Sequence, residues 1–87
     1  MNVRYILGED KYVKLLIHSQ NNEPFEIQSA RYELKRYDNI EQSGECVVDG
    51  HYISAKLCPE KLGAYEFVVT YMIADTVRKA KIRIEVV

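Results

Sequence analysis

Two histidines and two cysteines are the side chains in this sequence best suited to chemistry. His18, His51, Cys46 and Cys58 would act as metal ligands, or as a nucleophile with its base, if the fold brought them together. Their spacing matches no zinc-binding pattern, and neither histidine has an acid or a cysteine at a metal-ligand interval. We expect both histidines to be solvated or packed against turns, and we predict no metal site and no cofactor.

The surroundings of the cysteines also argue against nucleophilic catalysis. Cys46 is expected to face inward as a small apolar residue, whereas Cys58 precedes Pro59 at a strand end. A nucleophilic cysteine needs a base and an oxyanion site, and no glycine-rich turn is present to build one. We predict no catalytic residue, and a small enzyme built on Cys58 or a histidine remains a rival interpretation.

Composition and charge indicate one globular domain over residues 1–87. The chain is 47% apolar and 29% charged, which is typical of a folded protein. Its net charge of −1 argues against a main function in non-specific nucleic-acid binding. The N-terminal residues show no signal-peptide pattern, and no stretch approaches the roughly 18 apolar residues of a membrane span. We expect a protein of the cytoplasm or of a virion, with reduced thiols and no membrane contact.

Alternation of apolar and polar residues with period two runs through most of the chain and predicts about seven short strands. The segment 38–44 is expected to be a loop, and a turn cluster is expected at 19–24. Because no helical period is convincing, the predicted fold class is all-β, an antiparallel sandwich or small barrel.

A hairpin over residues 45–57 is the clearest local prediction. Asp49 and Gly50 suit a two-residue type I′ turn, which pairs Val48 with His51. This register places Cys46 and Cys58 on opposite faces, so we expect no disulfide between them.

The stretch "CPEKLGAYEF" resembles the corner before the sixth strand of immunoglobulin-like sandwiches. There, a tyrosine at the start of the strand sends its hydroxyl back to backbone upstream. By this resemblance Tyr65 is the corner tyrosine, Leu62 fills the core and Gly63 takes an unusual φ. The alternative is that Tyr65 is a core aromatic of another β fold. Because the chain has no tryptophan, the resemblance is to the broad immunoglobulin-like architecture and not to antibody domains.

A narrower resemblance covers most of the chain. The phrases "PFEIQSARYEL" and "GAY", with the "VVDGHYISAKL" hairpin, look like small β-sandwich domains of tailed bacteriophages, such as N-terminal domains of baseplate and receptor-binding proteins. This family brings no catalytic residue. It implies a structural or docking role in a virion or in a phage-derived region.

The third, sixth and seventh predicted strands are neighbours in the usual immunoglobulin-like order, and their outward residues form the predicted binding face. Val68 and Met72 are expected to form an apolar centre within a charged rim, which is the anatomy of a protein interface. The alternative is an ordinary solvated sheet face. The predicted face comprises Arg31, Val68, Thr70, Met72, Lys79, Lys81 and Arg83, with Glu33, Lys35 and Glu66 beside them.

These observations predict a non-enzymatic module that binds a protein partner or a second copy through a sheet face or an edge strand. The main rival is a nucleic-acid binder that uses Lys79, Lys81, Arg83 and Arg31 with nearby tyrosines. That rival needs exposed aromatic rings for base stacking, and most tyrosines fall at predicted inward positions.

Overall fold

A computed structural model describes residues 2–18 and 24–87, and in these residues the chain forms strands and turns without a helix. The predicted turn cluster at 19–24 lies, apart from Pro24, outside the described residues. No helix capable of crossing a membrane occurs in the described ranges. The strands are β1 (Asn2–Tyr5), β2 (Lys11–Leu16), β3 (Ile27–Arg36), β4 (Asn39–Glu45), β5 (Val47–Asp49), β6 (Tyr52–Leu57), β7 (Gly63–Ile73) and β8 (Thr76–Val86).

These strands form two sheets. The large sheet has the order β1-β8-β7-β3-β4, and the small sheet has the order β2-β6-β5. Neighbouring strands run antiparallel except β1, which lies parallel to β8 with Val3 beside Ile84. The all-β class is therefore confirmed, while the expectation of a purely antiparallel fold of about seven strands is corrected to eight strands of mixed direction among the described residues.

The extra strand is β4, which occupies most of the segment expected to be a loop. Tyr37 and Asp38 form the tight turn before it, with φ of 51° and 64°. Positive φ at both central residues is the type I′ geometry that hairpins favour. The turn carries no glycine and β4 carries little apolar alternation, because its side chains are mostly exposed at a sheet edge.

The hairpin of β5 and β6 exists, but its register differs from the predicted one by two residues. Val48 pairs with Ile53, and the central turn residues are Gly50, with φ of 61°, and His51. Because side chains alternate with period two, a shift of two residues leaves every side chain on its expected face. Val48, Ile53 and Ala55 therefore still point toward the core, as the predicted register had it.

One core joins the two sheets. The small sheet contributes Val13, Ile53 and Leu57, and these pack with the alternating inward residues of β7 and β8. Burial of apolar side chains from both sheets is what holds them face to face. The buried residues of the large sheet include Tyr5, Leu34, Tyr65, Phe67, Val69, Ile82, Ile84 and Val86.

Candidate functional site

The structure brings together the residues of the predicted binding face. β8, β7 and β3 are adjacent, so the outward side chains meet in cross-strand rows. The three rows are Arg31–Thr70–Lys79, Glu33–Val68–Lys81 and Lys35–Glu66–Arg83. Met72 lies beyond them, paired with Val77. We call this set the large-sheet face.

One of the two residues of the expected apolar centre of the large-sheet face, Val68, is not exposed. Val68 is only 4% exposed although it lies on the side away from the core, and Met72 is half-buried. Glu33 and Lys81 flank Val68 in the register, and long charged side chains cover apolar surface with their aliphatic stems. The expectation that Val68 is exposed at the centre of this face is therefore wrong, and a partner would meet charged groups beside it.

The large-sheet face carries charges of both signs, and cations outnumber carboxylates in its three rows. Lys81 and Glu66 form an exposed ion pair, with Nζ 3.6 Å from Oε1. Exposed pairs of this kind stabilise by about 1 kcal/mol at most. At one end the face opens into a depression of about 750 Å³, lined by Lys35, Tyr37, Asp38, Ala64, Tyr65, Glu66, Lys81, Ile82 and Arg83. The pattern resembles a solvated, ion-paired sheet surface.

Two exposed aromatic side chains lie on the same side of the small sheet. Tyr12 is 61% exposed and Tyr52 is 48% exposed, and Leu16 and Val47 are exposed beside them. Leu16 pairs directly with Tyr52, and Tyr12 lies on the same side of β2. We call this set, with Lys14 and Ser54 between its members, the small-sheet face.

Lys14 completes the small-sheet face. Its ammonium lies 6.0 Å from the centre of the Tyr52 ring, within cation–π range. Val47 pairs with Ser54, which in turn pairs with Lys14, and a second cation, Lys56, pairs with Tyr12 on the same face. Tyr12, Lys14 and Leu16 alternate with Val13 and Leu15 in the sequence, so a strand places the three on one side. The alternation does not show that Tyr52 and Val47 join them, because this depends on the strand order of the small sheet.

The corner before β7 contains a hydrogen bond of the kind proposed for Tyr65. The ring is 3% exposed, and the hydroxyl oxygen accepts a hydrogen bond from the backbone N–H of Lys61 at 3.1 Å. Gly63 has φ of 118°, a backbone conformation that residues with a Cβ atom rarely adopt. Leu62, expected to fill the core, is instead 55% exposed, and the fully buried side chain of this corner is Pro59.

In the residues that the structure describes, the histidines and cysteines form neither a metal site nor a pair of nucleophile and base. The ring of His51 stacks on Phe25 with centroids 4.1 Å apart, and Nε2 lies 3.2 Å from the Phe25 carbonyl oxygen. Cys46 and Cys58 are free thiols, and burial raises the pKa of Cys46 to about 11. In the described ranges no three His, Cys, Asp or Glu side chains group as metal ligands do.

Comparison with known proteins informs the fold alone. No protein-family model and no curated protein matches this chain. A crystal structure of an engineered protein from the Northeast Structural Genomics Consortium matches with a TM-score of 0.80 at 14% sequence identity. The match covers 99% of this chain but 18% of that protein, so the chain spans less than a fifth of its length. The strand-rich, compact fold thus has a neighbour of known structure.

Proposed function

We propose that this chain is an immunoglobulin-like β-sandwich module that binds protein and carries out no catalysis. The strand orders support the architecture. β2-β6-β5 correspond to strands B, E and D of an immunoglobulin-like domain, and β4-β3-β7-β8 to strands C′, C, F and G. Tyr65 stands at the start of the strand that corresponds to F, bonded to the backbone four residues upstream. This is the position and contact of a tyrosine corner.

The observation that carries the binding function is the small-sheet face. Four large apolar or aromatic side chains, those of Tyr12, Leu16, Val47 and Tyr52, remain exposed on three adjacent strands. Tyrosine is enriched in protein interfaces because it offers a large apolar ring and a polar hydroxyl. On the large-sheet face Val68 is buried, and the exposed Ile40 and Val77 lie in separate cross-strand rows, beside Lys35 and Met72. We therefore assign docking to the small-sheet face.

The resemblance to bacteriophage β-sandwich domains supplies the proposed setting, a virion or a phage-derived region. In that setting the module would join larger structural proteins. The genes beside the coding sequence test this: tail or lysis genes on either side support the setting, and a neighbourhood of metabolic genes argues against it.

Affinity capture from cells of the source organism tests the binding function. The Leu16→Ser/Tyr52→Ser double variant removes the centre of the small-sheet face while leaving the buried side chains in place. The matched control is Ile40→Ser/Val77→Ser, which removes two exposed apolar residues of the large sheet. We expect one protein to be retained by the wild type and the control and lost by the double variant. Equal capture by all three chains would contradict the assignment.

One observation favours a second candidate function, nucleic-acid binding. Tyr37 is highly exposed at the depression that also holds Lys35, Lys81 and Arg83, and an exposed ring beside cations suits base stacking. Asp38 and Glu66 line the same depression and would repel phosphates. The Lys81→Glu/Arg83→Glu variant tests it: a nucleic-acid binder loses its affinity for a single-stranded oligonucleotide, and wild-type affinity falls steeply with salt. No binding of the oligonucleotide by the wild type at low salt would exclude this candidate.

A further inference from the structure

The free edge of β2 directs backbone hydrogen-bonding groups toward solvent. The Ile17 N–H donates to the His51 carbonyl at 2.9 Å, which makes these two residues a hydrogen-bonded pair. The β2–β6 ladder continues without a shift, and hydrogen-bonded pairs alternate along an antiparallel ladder. Lys11, Val13 and Leu15 therefore exchange hydrogen bonds with β6. Tyr12, Lys14 and Leu16 turn their N–H and C=O groups away from β6.

Those outward groups have no backbone partner among the described residues. β2 ends the small sheet, and its one strand neighbour in residues 2–18 and 24–87 is β6. The three residues that carry the groups are also the exposed members of the small-sheet face on this strand. An incoming strand would thus find a ladder of backbone groups next to an aromatic surface, which are the two components of strand addition.

β2 carries Lys11 and Lys14 but few of the other features that protect sheet edges. Over six residues it has no proline and no bulge, and Lys14 is its one outward charge. β4, the long edge of the other sheet, has an irregular register at Leu34/Lys35 and carries Glu41 and Glu45. The remaining edges, β1 and β5, are four and three residues long. β2 is therefore the edge best suited to pairing.

We propose, on the basis of the proposed binding function, that β2 pairs antiparallel with β2 of a second copy of this chain. The two small sheets then form one continuous sheet of six strands. The two-fold axis passes through Val13, so that Tyr12 faces Lys14 of the second copy and Lys14 faces its Tyr12. Both contacts place an ammonium beside an aromatic ring.

Repulsion between like charges disfavours the neighbouring register centred on Lys14. Centring the axis on Lys14 instead would place two ammonium groups directly opposite each other, which destabilises a strand pair. Centring it on Val13 avoids this clash and brings Asp10 of each copy toward Leu16 of the other. Because the pairing involves one short strand from each copy, the interface is smaller than a standard one, and the dimer forms reversibly at high protein concentration.

Proline substitution at two matched edge positions tests the proposal. The N–H of Lys14 points away from β6, so Lys14→Pro removes no bond of the small sheet, and edge strands accept proline there. The control is Ser43→Pro on β4. The Cys46 N–H donates to the Ala30 carbonyl, so by the same alternation the Ser43 N–H points away from β3.

Sedimentation at concentrations up to about millimolar should show dimers for the wild type and for Ser43→Pro, and monomers for Lys14→Pro with an unchanged circular dichroism spectrum. A wild type that stays monomeric throughout, or a dimer lost in Ser43→Pro alone, would overturn the proposal. Amide hydrogen exchange of the wild type gives a readout that needs no variant. The N–H groups of Tyr12, Lys14 and Leu16 should gain protection as concentration rises, and that of Ser43 should not. Protection that rises at Ser43 instead would also overturn it.

Failure of this inference is distinguishable from failure of the proposed function. A monomeric wild type that still captures a partner through Leu16 and Tyr52 overturns self-pairing and leaves the binding function intact. If Lys14→Pro abolishes the dimer, self-pairing is supported. If, in addition, Leu16→Ser/Tyr52→Ser captures the partner as well as the wild type does, partner binding through this face is contradicted.

Discussion

The backbone N–H of Lys61 donates a hydrogen bond to the Tyr65 hydroxyl oxygen at 3.1 Å, across the corner that leads into β7. Removing the hydroxyl in Tyr65→Phe leaves this N–H without its partner while the ring stays in the core. We expect the free energy of unfolding to fall by about 1–2 kcal/mol, the usual effect of leaving a partly buried donor unsatisfied. Urea denaturation measures it. A denaturation midpoint equal to that of the wild type would contradict a stabilising role for this hydrogen bond.

Val68 should behave as a buried residue although it lies on the outer side of the large sheet. In Val68→Asp a carboxylate replaces a side chain that is 4% exposed, with Glu33 beside it. We expect a loss of about 2–4 kcal/mol in the free energy of unfolding. The matched control is Thr70→Asp, where Arg31 and Lys79 flank a half-buried position, and it should cost less than about 1 kcal/mol. Similar denaturation midpoints for the two variants would contradict this account.

Ala74 is strained in the turn between β7 and β8. Its φ of 52° lies in the left-handed region, where an L-residue with a Cβ costs about 1–2 kcal/mol. Ala74→Gly should therefore raise the free energy of unfolding by about 0.5–1 kcal/mol, because relief of strain exceeds the added chain entropy. Thermal denaturation measures the change. Asp75→Gly, at a position outside the positive-φ residues of the structure, is the control and should lower the melting temperature.

Stability should decline in alkali because the buried Tyr5 and the half-buried Cys46 resist ionisation. Burial raises the pKa of Cys46 from 9.0 to about 11. Burial, and then the nearby charges of Glu9 and Asp10, raises the pKa of Tyr5 from 10.0 to about 12. Below pH 9 both groups are protonated in the folded and unfolded chains. As the pH rises further the unfolded chain loses these protons first, which favours unfolding up to about pH 12.

The Tyr5 hydroxyl also donates to the Lys11 carbonyl at 2.9 Å, and a phenolate cannot donate. Denaturation midpoints between pH 8 and pH 12 measure the decline. Cys46→Ala should flatten its lower part, whereas Cys58→Ala should retain most of it, because Cys46 is still present and the Cys58 charge is the least of the causes that raise the pKa of Tyr5. A stability independent of pH across this range would show that neither group is held protonated by the fold.

The sequence was informative about the fold wherever one side of a strand is buried. Strict alternation in β8 identifies Ile82, Ile84 and Val86 as inward, because the period of a half-buried strand is visible in the residues themselves. β4 was missed because its exposed edge position imposes no alternation. Its turn, at Tyr37 and Asp38, uses positive φ without the glycine or asparagine that usually reveals it.

The candidate surface was harder to predict because it depends on which strands lie together. The neighbours of Val68 could be inferred, but its coverage by Glu33 and Lys81 follows from side-chain length and register, which the pattern does not show. Tyr52 and Leu16 are 36 positions apart and become neighbours through the β2–β6 register. The predicted hairpin register was also wrong by two residues, but each side chain still lies on its predicted face because the shift is an even number of residues.

Site-specific photocrosslinking in cells tests the central claim, that the small-sheet face binds protein, most directly. A photoreactive phenylalanine analogue at Tyr52 preserves an aromatic ring at the centre of that face, and the same analogue at Thr70 probes the large-sheet face. We expect a discrete crosslinked protein band from position 52 and none from position 70. Crosslinking from position 70 with none from position 52 would contradict this claim and would place the binding site on the large-sheet face.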